Sequence, residues 1–153
     1  MKKGDKVQDF SLQNTQKEFV SLSDLLNDGR KVVILFFPLA FSSVCTKELC
    51  TVRDNMKLYN SLNANIIGIS VDSLYSLREF KKANNLSYPL LSDFNKEVSG
   101  KFGVLDEDYF GMKGVSMRSA FVVNHEGMIE YAEVLEDDGN LPDFKAIQKA
   151  LDK

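Results

Sequence analysis

The stretch "KVVILFF", residues 31–37, has no polar residue after its lysine. A run this apolar and β-branched fits a strand buried on both faces, which calls for a sheet covered by helices on each side. Pro38 ends the run, because proline has no N–H to give to a ladder. Whatever follows must leave the sheet there.

The flanking segments fit that requirement. "DFSLQNTQKEFVSLSDL" reads as two short extended pieces around a polar turn, an N-terminal hairpin. After Pro38, the residues Leu49, Val52, Met56 and Tyr59 recur at helical spacing and give one apolar face. "NIIGISV" (65–71) is a second buried strand. "SLYSLREFKKAN" is a helix capped by Ser73, and "SYPLLSD" is a short strand whose Pro89 places it near an edge. "NKEVSGKFGV" is a short helix stopped by Gly103. "RSAFVVNHEGMIEYAEVL" is a hairpin, and "LPDFKAIQKAL" a last helix with Pro142 in its opening turn. The order is hairpin, β-α-β-α-β, then β-β-α. Strands separated by helices imply a parallel core, and the late hairpin adds antiparallel strands. The expected fold is α/β: a thioredoxin-like sandwich with a central mixed sheet, spanning residues 1–153 as one domain.

Composition narrows the function. A net charge of -3 gives no reason to expect nucleic acid or an anionic membrane as partner. No apolar stretch reaches the roughly 18 residues of a membrane helix, and "MKKGDKVQDF" lacks the apolar run of a signal peptide. Two cysteines in 153 residues do not make a disulfide scaffold. A reducing, cytoplasmic setting is expected, where a cysteine pair more often serves catalysis or redox sensing.

Both cysteines lie in "FFPLAFSSVCTKELC", residues 36–50. Cys45 extends the apolar face of the helix towards the end of the central strand. Cys50, five residues on, is rotated by roughly 140° and shares its side with Arg53, Asp54 and Lys57. Capping by Ser42 or Ser43 puts Cys45 in the first turn, where free N–H groups and the helix dipole favour a thiolate. In a continuous helix the two Cα atoms would be roughly 8–9 Å apart. A disulfide needs less than about 7 Å. A bridge therefore requires the first turn to unwind. Taken singly, Cys45 is equally well a small buried apolar residue and Cys50 an incidental surface thiol.

At these residues the chain resembles a known family. "PLAFSSVC" fits the peroxiredoxin motif Pro-x-x-x-Thr/Ser-x-x-Cys, with Pro38, Ser42 and Cys45 in place. The Cys-x-x-x-x-Cys spacing resembles the bacterioferritin-comigratory (Q-type) group, and "FFPLAF…CTKEL" is similar to the alkyl hydroperoxide reductase E group. The early "DF", "GISVDS", "LLSD" and "RSAFVVNHEGMIEY" also occupy family-like positions. The resemblance implies a thiol peroxidase without a cofactor. Cys45 would attack a hydroperoxide, Pro38 shield the site, Ser42 hydrogen-bond peroxide and thiolate, Arg118 stabilise the charge and Glu48 orient Arg118. If the strand at Arg118 runs antiparallel to residues 31–37, Arg118 arrives beside Cys45. The sulfenic acid formed would condense with Cys50, and a thioredoxin-type dithiol would reduce the disulfide. The protein would be a monomer or homodimer. Ser42 stands where threonine is commoner, and Ser43-Val44 where the Q-type group has Pro-Gly, so resolution by an external thiol stays open. Without the motif, Arg118 reads as a strand-edge surface charge and Glu48 as a solvated helix residue.

Other readings of the same residues exist. A thioredoxin-type oxidoreductase calls for Cys-x-x-Cys and a proline before the late strand, but Ser116-Met117-Arg118 stands there. A glutathione-peroxidase-like enzyme would bring a tryptophan, which the chain lacks. A cysteine hydrolase needs a histidine base, and the one histidine, His125, falls in the "NHEG" turn. Outside enzymes, a two-thiolate soft-metal site and a redox-sensing module remain.

Overall fold

The computed structural model describes residues 1–137 and 139–153. The chain begins with the hairpin β1 (Ser11–Asn14) and β2 (Phe19–Ser21), followed by the short helix α1 (Leu22–Leu26). The apolar run forms β3 (Lys31–Phe36) and leads into α2 (Ser43–Asp54) and α3 (Met56–Ser61). Then come β4 (Ala64–Ser70), α4 (Leu74–Ala83), β5 (Leu90–Ser92) and α5 (Glu97–Lys101). A two-residue ribbon, β6 (Leu105–Asp106) with β7 (Val115–Ser116), precedes the late hairpin β8 (Ser119–Val123) and β9 (Ile129–Val134). Helix α6 (Phe144–Leu151) closes the fold.

The main sheet has the order β2-β1-β5-β4-β3-β8-β9. Strand β3 is central, parallel to β4 and antiparallel to β8. Its side chains alternate between two cores. Val33, Leu35 and Phe37 face α2, α3, α4 and α6 through Leu49, Val52, Tyr59, Leu77, Phe80 and Ile147. Val32, Ile34 and Phe36 face α1 and α5 through Leu22, Val98 and Phe102. Full burial of one such side chain contributes about 1.5–3 kcal/mol, which is why the run has no polar interruption. Gly68 on β4 makes room for the side chains of Leu90 and Phe37: a Cβ there would be 2.7 Å from Leu90 Cδ2 and 3.3 Å from Phe37 Cε1. The thioredoxin-like sandwich, with its mixed sheet and N-terminal hairpin, is the fold observed.

Three local expectations differ from what forms, and one ribbon forms where none was expected. The helix after Pro38 is not continuous. Asn55 leaves helical geometry at φ -111° and ψ 17°, its side chain donating to Thr51 O at 2.9 Å, yet Met56 and Tyr59 stay on the same buried face. Strand β5 is not at an edge, because β1 pairs with its outer side; Pro89 lies just before it, so no ladder N–H is lost. Pro142 precedes the helix rather than entering it: Asp143 is the N-cap of α6 and accepts from Ala146 N at 3.0 Å. The β6–β7 ribbon is too short for a periodic signal. Among the described residues no helix is long and apolar enough to cross a membrane.

Candidate active site

Strand β3 delivers the chain to a buried corner. Phe37 N still bonds Ile69 O at 3.0 Å, and Pro38, buried behind it, turns the backbone away from the sheet. Ala40 N then donates to Asp72 Oδ2 at 2.8 Å, and the same oxygen accepts from Ser70 Oγ at 2.6 Å. Asp72, just past the C-terminal end of β4, thus ties the turn to the neighbouring strand. Sequence reasoning missed this role. The available signal was a carboxylate just past the end of a buried parallel strand, where α/β sheets place their sites. Phe41 takes a left-handed φ of 70°, is 58% exposed, and meets Phe80 edge-on at 5.2 Å between centroids.

Ser42 is the N-cap of α2, but not through its side chain. Its Oγ donates to Leu39 O at 2.8 Å, while its carbonyl accepts from Thr46 N at 3.0 Å. The hydroxyl therefore braces the Pro38 turn, and the first-turn amides of α2 keep their outward N–H groups. Cys45, third residue of the helix, is fully buried within this turn.

Arg118 reaches Cys45 from the opposite direction. It stands just before β8, and the register Phe36↔Ser119 sets it beside the end of β3. Leu135 N donates to its carbonyl at 2.9 Å, fixing the backbone. The guanidinium is 1% exposed, and its Nη1 donates to Cys45 Sγ at 3.3 Å and to Glu48 Oε1 at 2.7 Å. Cys45 and Glu48, three residues apart, share one side of the helix. Neither Arg118 nor Glu48 is the solvated charge that its local sequence suggests.

The electrostatics follow from burial. Burial alone pulls Arg118 down, but the Cys45 and Glu48 charges and their hydrogen bonds outweigh it and hold the guanidinium above its ordinary range. Burial pushes Glu48 up to about 7; the Arg118 charge and hydrogen bond counter this, and Glu133 adds to the rise. Its second oxygen, Oε2, has no hydrogen-bond partner among the described residues. The same Nη1 serves a sulfur and a carboxyl, and a proton on Glu48 removes the carboxylate charge that competes with the sulfur for it.

Both cysteines are free thiols on the one helix. Cys50 is on the far side of α2 from Arg118, as its rotation requires, but it does not look into solvent. It is half-buried against the end of α4, with Sγ donating to Asn84 Oδ1 at 3.6 Å. His125 sits in the exposed β8–β9 turn, 3.8 Å from Glu126, away from either sulfur's surroundings.

Known proteins with this architecture have a consistent character. The AhpC/TSA family profile matches residues 3–132. A protein named as a peroxiredoxin in Mycobacterium tuberculosis is 38% identical over 132 residues, spanning 85% of this chain and 83% of its own length. The bcp peroxiredoxin of Buchnera aphidicola is likewise 38% identical over 132 residues, spanning 85% and 82%. Among solved structures, peroxidoxin BcpB of Mycobacterium tuberculosis superposes with a TM-score of 0.89 at 31% identity, over 99% of this chain and 96% of that one. AhpC of Enterococcus faecalis superposes with a TM-score of 0.86 at 29% identity, over 97% and 89%. A buried cysteine at a helix start, an arginine bonded to it and these matches agree, and the chain belongs to the AhpC/TSA family, the thiol peroxidases called peroxiredoxins.

Proposed function

We propose that Cys45 is the peroxidatic residue, that Cys50 resolves it, and that a thioredoxin-type dithiol completes the cycle in a reducing compartment such as the cytoplasm. The observation that carries this is the Arg118 Nη1–Cys45 Sγ contact of 3.3 Å inside a closed first turn. The Cys45 thiolate attacks one oxygen of hydrogen peroxide or an organic hydroperoxide. An S–O bond forms, the O–O bond breaks, and the departing oxygen takes a proton to leave as water or alcohol. Arg118 and the first-turn amides are the fixed donors for the charge that develops on that oxygen, and the Ser42 hydroxyl, which donates to Leu39 O in the resting site, joins them by rotating off that carbonyl. Pro38 keeps bulk water from the sulfur. Glu48 aims Arg118. The sulfenic acid on Cys45 then condenses with the Cys50 thiol, releasing water and forming a disulfide once the first turns of α2 unwind.

A second reading has its own support. Cys50 is held by Asn84 on the far side of α2, which favours a one-cysteine enzyme resolved by an external thiol. Counting free thiols decides between them. Reduced protein given one equivalent of hydrogen peroxide is expected to lose both thiols and regain both with a dithiol. Loss of a single thiol supports the external-thiol reading, and loss of neither removes the peroxidase proposal.

A further inference from the structure

Joining Cys45 to Cys50 demands that part of α2 unwind, and either sulfur could be the one that travels. The contacts of α2 differ in its two halves. Residues 49–53 are gripped by the segment after α4. Cys50 Sγ donates to Asn84 Oδ1 at 3.6 Å, Arg53 Nη1 donates to Asn84 O at 2.7 Å, and the buried Tyr88 hydroxyl donates to Leu49 O at 2.6 Å. Asn84 is itself fixed, as the C-cap of α4, by Nδ2 donating to Phe80 O at 3.0 Å. The first half of α2 is held instead by Arg118, through Cys45 and Glu48.

Peroxide acts on these two grips unequally. Oxidation turns the Cys45 thiolate into a neutral sulfenic acid, so the anion that drew Arg118 to the sulfur is gone. The contacts made by Asn84 and Tyr88 do not involve Cys45 and are untouched by its oxidation. The half carrying Cys45 loses the charge behind one of its two bonds to Arg118 and keeps the one to Glu48, while the half carrying Cys50 keeps all of its own.

We propose that Asn84 is a positioning residue for the resolving step, holding Cys50 stationary on α4 so that Cys45 is carried to it; this rests on the intramolecular disulfide of the proposed function. In the step itself the Cys50 sulfur bonds to the Cys45 sulfur as the S–O bond breaks. The hydroxyl leaves as water with the proton of the Cys50 thiol; Cys50 is oxidised and the Cys45 sulfur reduced. Fixing one partner raises its effective concentration for the other. Loosening Asn84 does not lower the cost of unwinding residues 43–48, because none of its bonds reaches them.

The test follows the intact mass of quenched samples after one equivalent of hydrogen peroxide, in wild type, Asn84→Ala and Arg53→Gln. Addition of the first oxygen is expected at the wild-type rate in both variants. Disulfide formation is expected to be about three- to tenfold slower, the worth of one hydrogen bond. The longer-lived sulfenic acid should also take a second oxygen at peroxide levels where wild type does not. Arg53→Gln removes one grip on the Asn84 carbonyl but leaves the Asn84 side chain and its bond to Phe80 O in place, so a shared phenotype is not a defect of the α4 end. Resolution at or above the wild-type rate in both variants overturns the proposal, as does equal slowing of oxidation and resolution. If wild type never forms the disulfide, the resolving role of Cys50 fails with it, whereas unaltered variants alongside a wild-type disulfide sink the role of Asn84 alone.

Discussion

Arg118→Met is expected to slow oxidation of Cys45 by hydrogen peroxide by about 10²–10³-fold, the usual cost of one preorganised donor to developing charge. The effect is large because the guanidinium is 1% exposed and within 3.3 Å of the sulfur. Burial keeps solvent screening of that contact low, and a donor already in place needs little reorganisation when charge moves from sulfur to oxygen. Methionine keeps most of the buried volume, so packing around β8 should survive. The substitution also takes the counter-charge from Glu48, which then keeps its proton over a wider pH range, so the variant should remain folded at neutral pH. Stopped-flow mixing of reduced protein with peroxide measures the rate. A fall of less than about threefold would show that the helix start alone activates the thiol and that Arg118 serves packing.

Glu48→Gln should remove a specific pH dependence of stability. The carboxyl is raised from 4.5 to about 7 in the folded protein, chiefly by burial. A raised carboxyl binds a proton in the folded state that the unfolded chain has already released. Unfolding free energy therefore falls as pH rises through the window from 4.5 to about 7, and levels off above it. The difference corresponds to roughly 3 kcal/mol at the upper end. Glutamine keeps an acceptor for Arg118 Nη1 and cannot ionise. Urea unfolding should find the two proteins alike near pH 4 and Glu48→Gln more stable near pH 8 by that order. Parallel curves across the window would mean that Glu48 stays ionised as a full ion pair. On the proposed role of Glu48 in aiming the guanidinium, glutamine still accepts from Nη1, and the variant should lose less peroxide reactivity than Arg118→Met.

Legibility in the sequence depended on whether a residue's neighbours were close along the chain. The two-faced burial of β3 is written in "KVVILFF", since every side chain there must be apolar whichever face it takes. The inward face of α2 is likewise set by spacing, and Cys45, Leu49 and Val52 are all buried. Arg118 is different. Nothing in "SMRSAF" tells whether the charge meets water, because its burial comes from β8 pairing with a strand more than 80 residues earlier. Only the family motif pointed to it. For Glu48 a local signal existed: three residues after Cys45 on a helix is the same side, so one buried side chain implies a buried neighbour. Asp72 and Asn84 act through bonds to residues 32 and 34 positions away. Both sit just past an element's end, where the chain reads as ordinary turn or cap chemistry.

The most direct measurement is the intact mass of anaerobically reduced wild type, Cys45→Ser and Cys50→Ser, each given one equivalent of hydrogen peroxide. Wild type should lose two hydrogens, Cys45→Ser should be unchanged, and Cys50→Ser should gain one oxygen. Oxidation of Cys45→Ser at the wild-type rate, or a wild type inert over minutes, would contradict the assignment of Cys45 as the residue that meets peroxide.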